Sequence, residues 1–257
     1  MHKELASLNI RAVFTDLDDT LTLSSKIFPA TYQALWRLKE RGIWVVIVSG
    51  RPAGWADCLM RLWPLDAMVF ENGAGIITRE GEKFKTVELA SDKNLADQQK
   101  ILQRIFDDLK RKVPSLKLAT DQPFRLFDFA IDYKEEPPRL SDSDLNTVLE
   151  HLRGVEEITA KLSSIHVNYW YGKHTKVTAC EYLLQTEGVQ RGIETKQVLF
   201  CGDSPNDEPL FKFFTHTVGV ANIQPYLEAM RFTPRYVCKK AGGDGFVEMV
   251  NCITSTG

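Results

Sequence analysis

Short apolar runs alternate with amphipathic stretches over the first third of the chain. Residues 10–15, 43–48 and 67–70 are short and mainly apolar, the pattern of strands covered on both faces. Residues 29–41 and 53–63 between them read as helices, with Pro29 suited to a first turn and Gly42 to the residue after a last turn. The pattern returns near the end as a helix over 176–185, a strand over 197–201, a helix over 208–214, a strand over 217–220 and a final helix over 245–253. Strands separated by helices of this length imply right-handed crossovers, so both portions are expected to share one parallel sheet.

The middle of the chain has another character. A charged helix over 92–112 precedes alternating segments at 124–133 and 156–170, with a helix over 141–152 between them whose Ser141 and Asp144 resemble a capping box. Strands and helices in that mixture predict an α+β module inserted into an α/β core, with the core in residues 1–82 and 173–257 and the insert in 83–172.

Composition narrows the class. The 257 residues are 44% hydrophobic and 26% charged, an ordinary globular balance, and a net charge of -2 gives no general reason to bind nucleic acid or an anionic membrane. Five cysteines are spread without a CxxC pair, which reads as reduced thiols. The first eleven residues lack a signal-peptide core, and no run approaches about 18 apolar residues. The expectation is a cytoplasmic protein without membrane or nucleic-acid partners, a monomer or weak homodimer.

Candidate chemistry sits at the ends of the predicted strands. Residues 16–20, DLDDT, follow the first strand, so two carboxylates at i and i+2 leave the sheet edge beside a small hydroxyl. Such a pair can hold a divalent cation, attack phosphorus and move a proton. SGRP at 49–52, ENGA at 71–74 and GDSPND at 202–207 each follow another predicted strand. Each alone is also a good turn or helix cap. Four of them converging at one sheet edge point instead to a site.

DLDDT, SGRP, a lysine in HTKVTA at 174–179 and GDSPND, in this order, resemble the haloacid dehalogenase superfamily of phosphohydrolases. The position of the insert and the ENGA segment resemble its type IIB branch, which holds Cof-like sugar phosphatases. The resemblance implies a Rossmann-like core with an inserted α+β cap, and a Mg2+-dependent phosphatase acting on a small phosphorylated metabolite such as a sugar phosphate. By the same resemblance Asp16 is the nucleophile and Asp18 the general acid and base. Asp16, Asp203 and the Asp18 backbone carbonyl are implied as metal ligands, with Asp207 positioning water or metal. Ser49 and Lys176 would hold the transferring phosphoryl group. Lys173 is the rival of Lys176, which is preferred because it opens a predicted helix with Ala179 three positions on, as the family's K-x-x-A pattern does. Thr20, Gly50, Arg51, Asn72 and Asn206 are implied on the substrate side. In the insert, His166, His174, Tyr169, Arg125 and Arg139 are secondary candidates for reading the substrate. The rival activities are a phosphomannomutase-like phosphotransferase and a non-catalytic sensor of phosphate and Mg2+.

Overall fold

The computed structural model describes residues 2–90 and 94–255. A short helix α1 (His2–Ala6) is followed by β1 (Ala12–Thr15), α2 (Pro29–Glu40), β2 (Trp44–Val48), α3 (Ala53–Leu62), β3 (Ala67–Phe70), β4 (Gly75–Glu80) and β5 (Lys83–Glu88). The middle holds α4 (Leu95–Lys112), β6 (Asp128–Asp132), α5 (Asp142–Arg153), β7 (Ile158–Leu162) and β8 (His166–Tyr171). The last part is α6 (Lys176–Leu183), β9 (Val198–Gly202), α7 (Glu208–Phe213), β10 (His216–Gly219), β11 (Tyr236–Val237) and α8 (Gly242–Thr254).

Eight strands form one sheet in the order β11-β10-β9-β1-β2-β3-β4-β5, parallel from β11 through β3. Alternate residues of its central strands enter two different cores. Val13, Val45 and Ile47 pack with Leu35 of α2, Met60 of α3 and Phe246 of α8, whereas Phe14, Val46 and Val48 pack with Cys180 of α6 and Leu210 of α7. Helices on both faces explain why these strands are apolar at nearly every position. The fold is therefore the α/β, Rossmann-like arrangement that the pattern predicts.

One edge differs from the sequence reading. The sequence pattern places residues 83–88 in the insert, yet β5 pairs antiparallel with β4, and β4 pairs antiparallel with β3, which extends the large sheet. Most β5 side chains are exposed, so its place comes from backbone bonds to β4 and leaves little apolar alternation to read. The two-residue strand β11 is too short to leave a pattern.

The insert forms a second sheet in the order β6-β8-β7, antiparallel throughout. Of the expected strand over 124–133, only β6 is extended, and the expected strand over 156–170 is the hairpin β7–β8. Phe129, Ile131, Val167 and Tyr169 pack against Leu102 and Leu109 of α4 and Val148 and Leu152 of α5. The alternate positions Asp128, Asp132, His166 and Asn168 belong to the other face and are also buried. Asp92 and Lys93, where α4 was expected to begin, lie outside the described residues; its cap is Asn94, whose side chain accepts the Ala96 N–H. Ser141 caps α5 by accepting the Asp144 N–H at 3.1 Å. Among the described residues, no helix is long and apolar enough to cross a membrane.

Candidate active site

The parallel ladder continues for one residue beyond the strands and fixes two side chains at its edge. Asp16 N–H donates to the Cys201 carbonyl at 2.9 Å, and Ser49 N–H donates to the Val69 carbonyl at 3.0 Å. The ENGA loop turns against them: Asn72 stands at φ 58 and donates its backbone N–H to the Ser49 carbonyl at 3.1 Å. Gly73, at φ 105, approaches the start of α6 so closely that a Cβ would lie 2.1 Å from the Thr175 carbonyl oxygen. That approach sets the first turn of α6, capped by Thr175 and opened by Lys176, beside the strand ends. Gly202 makes room in the same way for Asp207, whose Oδ2 would be 2.4 Å from a Cβ there.

Three carboxylates meet at this edge. Asp16, Asp203 and Asp207 are buried, and each offers an oxygen within 4.8 Å of the others. The Lys176 ammonium donates to Asp16 Oδ1 at 2.6 Å and to Asp207 Oδ1 at 3.0 Å. Asp207 Oδ2 accepts the Asp203 N–H at 3.1 Å, and Asp203 Oδ1 accepts the Thr20 hydroxyl at 3.0 Å. Burial pushes the Asp16 carboxyl up to about 8, the Lys176 charge works against that rise, and the Asp207 and Asp18 charges add to it. Burial pulls the Lys176 ammonium down, but Asp16 and Asp207 more than reverse this and hold it well above its ordinary value. With all three acids ionised, one ammonium leaves two buried negative charges uncompensated, which a divalent cation would cancel. An all-oxygen donor set suits a hard cation, so the residues fit a metal site.

Asp18 takes a different place. Its carboxylate receives Arg51 Nε at 2.8 Å and Nη2 at 2.9 Å, so it is not in the acidic triad. Arg51 also reaches the insert, donating to Asp121 at 3.1 Å and Glu135 at 2.8 Å. Burial works to raise the Glu135 carboxyl, but the bonds from His166 and Arg51 outweigh it and bring the group down to about 2. The His166 ring lies 2.7 Å from Glu135 through Nε2.

Of the residues singled out in sequence, Asp16, Asp18, Ser49, Gly50, Arg51, Asn72, Asp203 and Asn206 line one small cavity between the strand ends and the insert, with His166 on its far wall. Lys176, Asp207 and Thr20 lie outside that lining. Thr20 was expected on the substrate side; its buried hydroxyl instead turns to Asp203, as a buried donor requires. Lys173, the rival of Lys176, is exposed. Arg125 is not free for a ligand, because Asp121, Asp128 and the Gly50 carbonyl hold its guanidinium. Tyr169 donates its hydroxyl to the Leu102 carbonyl inside the core of the insert, and His174 stacks on Trp170. Arg139 is exposed and outside the cavity lining.

Sequence reasoning missed Glu71, Asp121, Asp128, Glu135, Ser163, Ser164 and Asn168. Asn168 was within reach, since polar residues alternate with Val167 and Tyr169 along β8. Glu71 lies inside ENGA, yet its function is long-range. Its carboxylate accepts the backbone N–H groups of Leu126, Phe127 and Asp128 at 2.6–3.1 Å, pinning the insert to the core.

A mostly parallel sheet carrying buried carboxylates and a lysine at its strand ends, closed over by an inserted α+β cap, defines a capped hydrolase of phosphate esters. Residues 13–122 match the model of the haloacid dehalogenase-like hydrolase family, and the curated relatives that the chain matches over nearly their whole length are phosphatases. Phosphoglycolate phosphatase of Methanothrix thermoacetophila is 26% identical over 249 residues, covering 96% of this chain and 99% of that protein. The sucrose-phosphatase of Synechocystis, solved with sucrose and phosphate, shares the fold at a TM-score of 0.67 and 22% identity, covering 96% of this chain and 98% of that one. The C-terminal domain of trehalose-6-phosphate phosphatase from C. albicans does so at a TM-score of 0.74 and 14% identity, covering 98% and 94%.

Proposed function

We propose that the protein is a Mg2+-dependent phosphomonoesterase that hydrolyses a small phosphorylated metabolite, a sugar phosphate, through an aspartyl-phosphate on Asp16. The observation that carries this reading is the placement of Asp16 in the cavity wall with Lys176 at 2.6 Å and two further buried carboxylates within 4.8 Å. Residues 83–88 go with the core, and the rest of the insert, to residue 172, acts as the cap.

Asp16 attacks phosphorus as the bond to the ester oxygen breaks, and Asp18 gives that leaving oxygen its proton. Asp18 then takes a proton from water, the water oxygen attacks phosphorus, and the bond to Asp16 breaks to release phosphate. Lys176 supplies the fixed positive charge beside the nucleophile, and Ser49, whose oxygen accepts the Arg51 N–H at 3.0 Å, keeps its own proton for a phosphoryl oxygen. Mg2+ held by Asp16, Asp203 and Asp207 would supply Lewis-acid charge to the phosphoryl oxygens, offsetting the repulsion between carboxylate and phosphate dianion. Thr20 orients Asp203. Arg51 ties Asp18 to the cap residues Asp121 and Glu135, so Asp18 becomes free for proton transfer only when substrate takes over part of the Arg51 fork.

The test is release of phosphate from a panel of phosphorylated metabolites with and without Mg2+. Sugar phosphates and phosphoglycolate, the compound in the relative's name, both belong in the panel. Asp16→Asn is expected to lower turnover by about 10⁴-fold or more while the fold, read by circular dichroism, is unchanged. Ordinary turnover by that variant would sink the assignment.

A further inference from the structure

The cavity around Asp16 is too small for a whole substrate. Its volume of about 20 Å3 is close to the space of one water molecule. The leaving group of an ester whose phosphorus sits beside Asp16 therefore lies outside it. Ser163, Ser164, Ser204 and Asn206 line both this cavity and a neighbouring groove of about 670 Å3 at the seam between cap and core. That volume falls within the range of roughly 300–1,000 Å3 found for small-molecule sites.

The charge in the groove is distinctive. Lys161 of the cap and Lys212 and Arg231 of the core line it, together with a single carboxylate, Glu208. Glu208 Oε1 accepts the backbone N–H groups of Arg231 at 3.1 Å and Phe232 at 3.2 Å, so it is committed to shaping that loop. Among the described residues, no carboxylate lies within 4 Å of the Lys161, Lys212 or Arg231 side-chain nitrogens. The Lys212 ammonium and the Arg231 guanidinium stand 5.0 and 5.3 Å from the centroid of the same Phe232 ring. Two cations thus flank one ring, while the groove's one carboxylate, Glu208, is taken up by backbone N–H groups, an arrangement in which a bound anionic group would be attracted by both.

We propose that this groove receives the leaving group and that Lys212 and Arg231 bind a second anionic group on it, a phosphate or a carboxylate. The inference rests on the phosphatase reading of Asp16 and sharpens its substrate class to a phosphomonoester of an extended, polyol-like alcohol carrying a further negative charge. The shared wall of serines and an asparagine offers hydrogen bonds to hydroxyl groups between the two ends.

The experiment measures kcat/KM with Mg2+ for the wild type and for K212Q/R231Q. The substrates are p-nitrophenyl phosphate, fructose 6-phosphate, fructose 1,6-bisphosphate and 6-phosphogluconate. The wild type is expected to prefer the bisphosphate or the phosphosugar acid over fructose 6-phosphate. The double variant should reduce that preference roughly ten- to a hundredfold, mainly through KM. Which of the two favoured esters loses more tells a phosphate from a carboxylate. K212E reads the same ratio with reversed charge and should lower it to a similar extent. No wild-type preference, or a preference that the variants keep, overturns the groove assignment. Failure to hydrolyse any ester, p-nitrophenyl phosphate included, instead overturns the phosphatase reading on which it rests.

Discussion

Two buried polar clusters meet where the cap covers the core, and their carboxylate oxygens are satisfied in different ways. Around Arg51 and Arg125, each of Asp18, Asp121, Asp128 and Glu135 has a guanidinium nitrogen within 3.2 Å, and Asp128 also accepts the Asn168 amide. Around Asp16, three carboxylates share one ammonium, and the Asp203 side chain has the Thr20 hydroxyl as its donor. The first cluster is complete as folded and joins cap to core. The second has acceptor capacity left over, which on the proposed reading a cation and a phosphoryl group use. Burial of charge does not by itself mark a site, since structural ion-pair networks are buried too. What separates the two clusters is the lone-pair capacity that the protein leaves unfilled.

Removing Lys176 is the strongest way to break this contrast. Lys176→Met keeps most of the side-chain length but leaves Asp16 and Asp207 without their cation, and breaking a buried pair from one side costs about 3–5 kcal/mol. Denaturant unfolding in a chelator should show a loss of that size, and a divalent cation should restore more stability to the variant than it adds to the wild type. An equal response of both proteins to the cation would mean that the triad is as complete as the Arg51 cluster.

The two clusters also differed in how far the sequence disclosed them. Asp16, Ser49 and Asp203 each follow an apolar strand, and parallel pairing of β9, β1 and β2 brings their ends together, so strand pattern and chain order were enough. Lys176 was legible because it opens a helix whose Ala179 packs on the sheet. The Arg51 cluster was not legible. Its partners Asp121 and Glu135 lie in cap loops 70 and 84 residues away, and only the docking of one sheet on another brings them near. Local periodicity carries no information about such pairs. The hairpin β4–β5 was lost for a related reason, since backbone bonds rather than an apolar face hold β5 in place.

A second effect is expected from pH. Burial holds the Asp16 carboxyl up to about 8 against an ordinary 3.8, so the folded protein binds that proton more tightly than the unfolded chain. The part of the cation-free protein's stability that Asp16 contributes should therefore be lost as pH rises from about 4 to 8, with a slope from this one group of up to about 1.4 kcal/mol per pH unit. A divalent cation displaces the proton, so its affinity should rise with pH to about 8 and then level off. Calorimetric titrations with Mg2+ across that range read both quantities. A pH-independent affinity would show that Asp16 is already ionised and adequately compensated without the cation.

The smallest effect belongs to the pin between cap and core, and it separates the two clusters by a property that a cation cannot change. Burial first, and the Asp128 charge second, raise the Glu71 carboxyl to about 7, against the pull of the backbone N–H groups it accepts. Glu71→Gln places an amide nitrogen where backbone donors already point, so it should cost about 1–2 kcal/mol near neutral pH. Because the folded-state value is raised above an ordinary 4.5, Glu71 contributes its own fall in stability between about pH 5 and 7, and the glutamine variant should lack that part of the slope. Unfolding measured with and without Mg2+ distinguishes the sources: the cation should flatten the portion due to Asp16 and leave the Glu71 portion in place. If Mg2+ removes both, the pin is coupled to the acidic triad, and the division of the buried charges into a completed cluster and an open one does not hold.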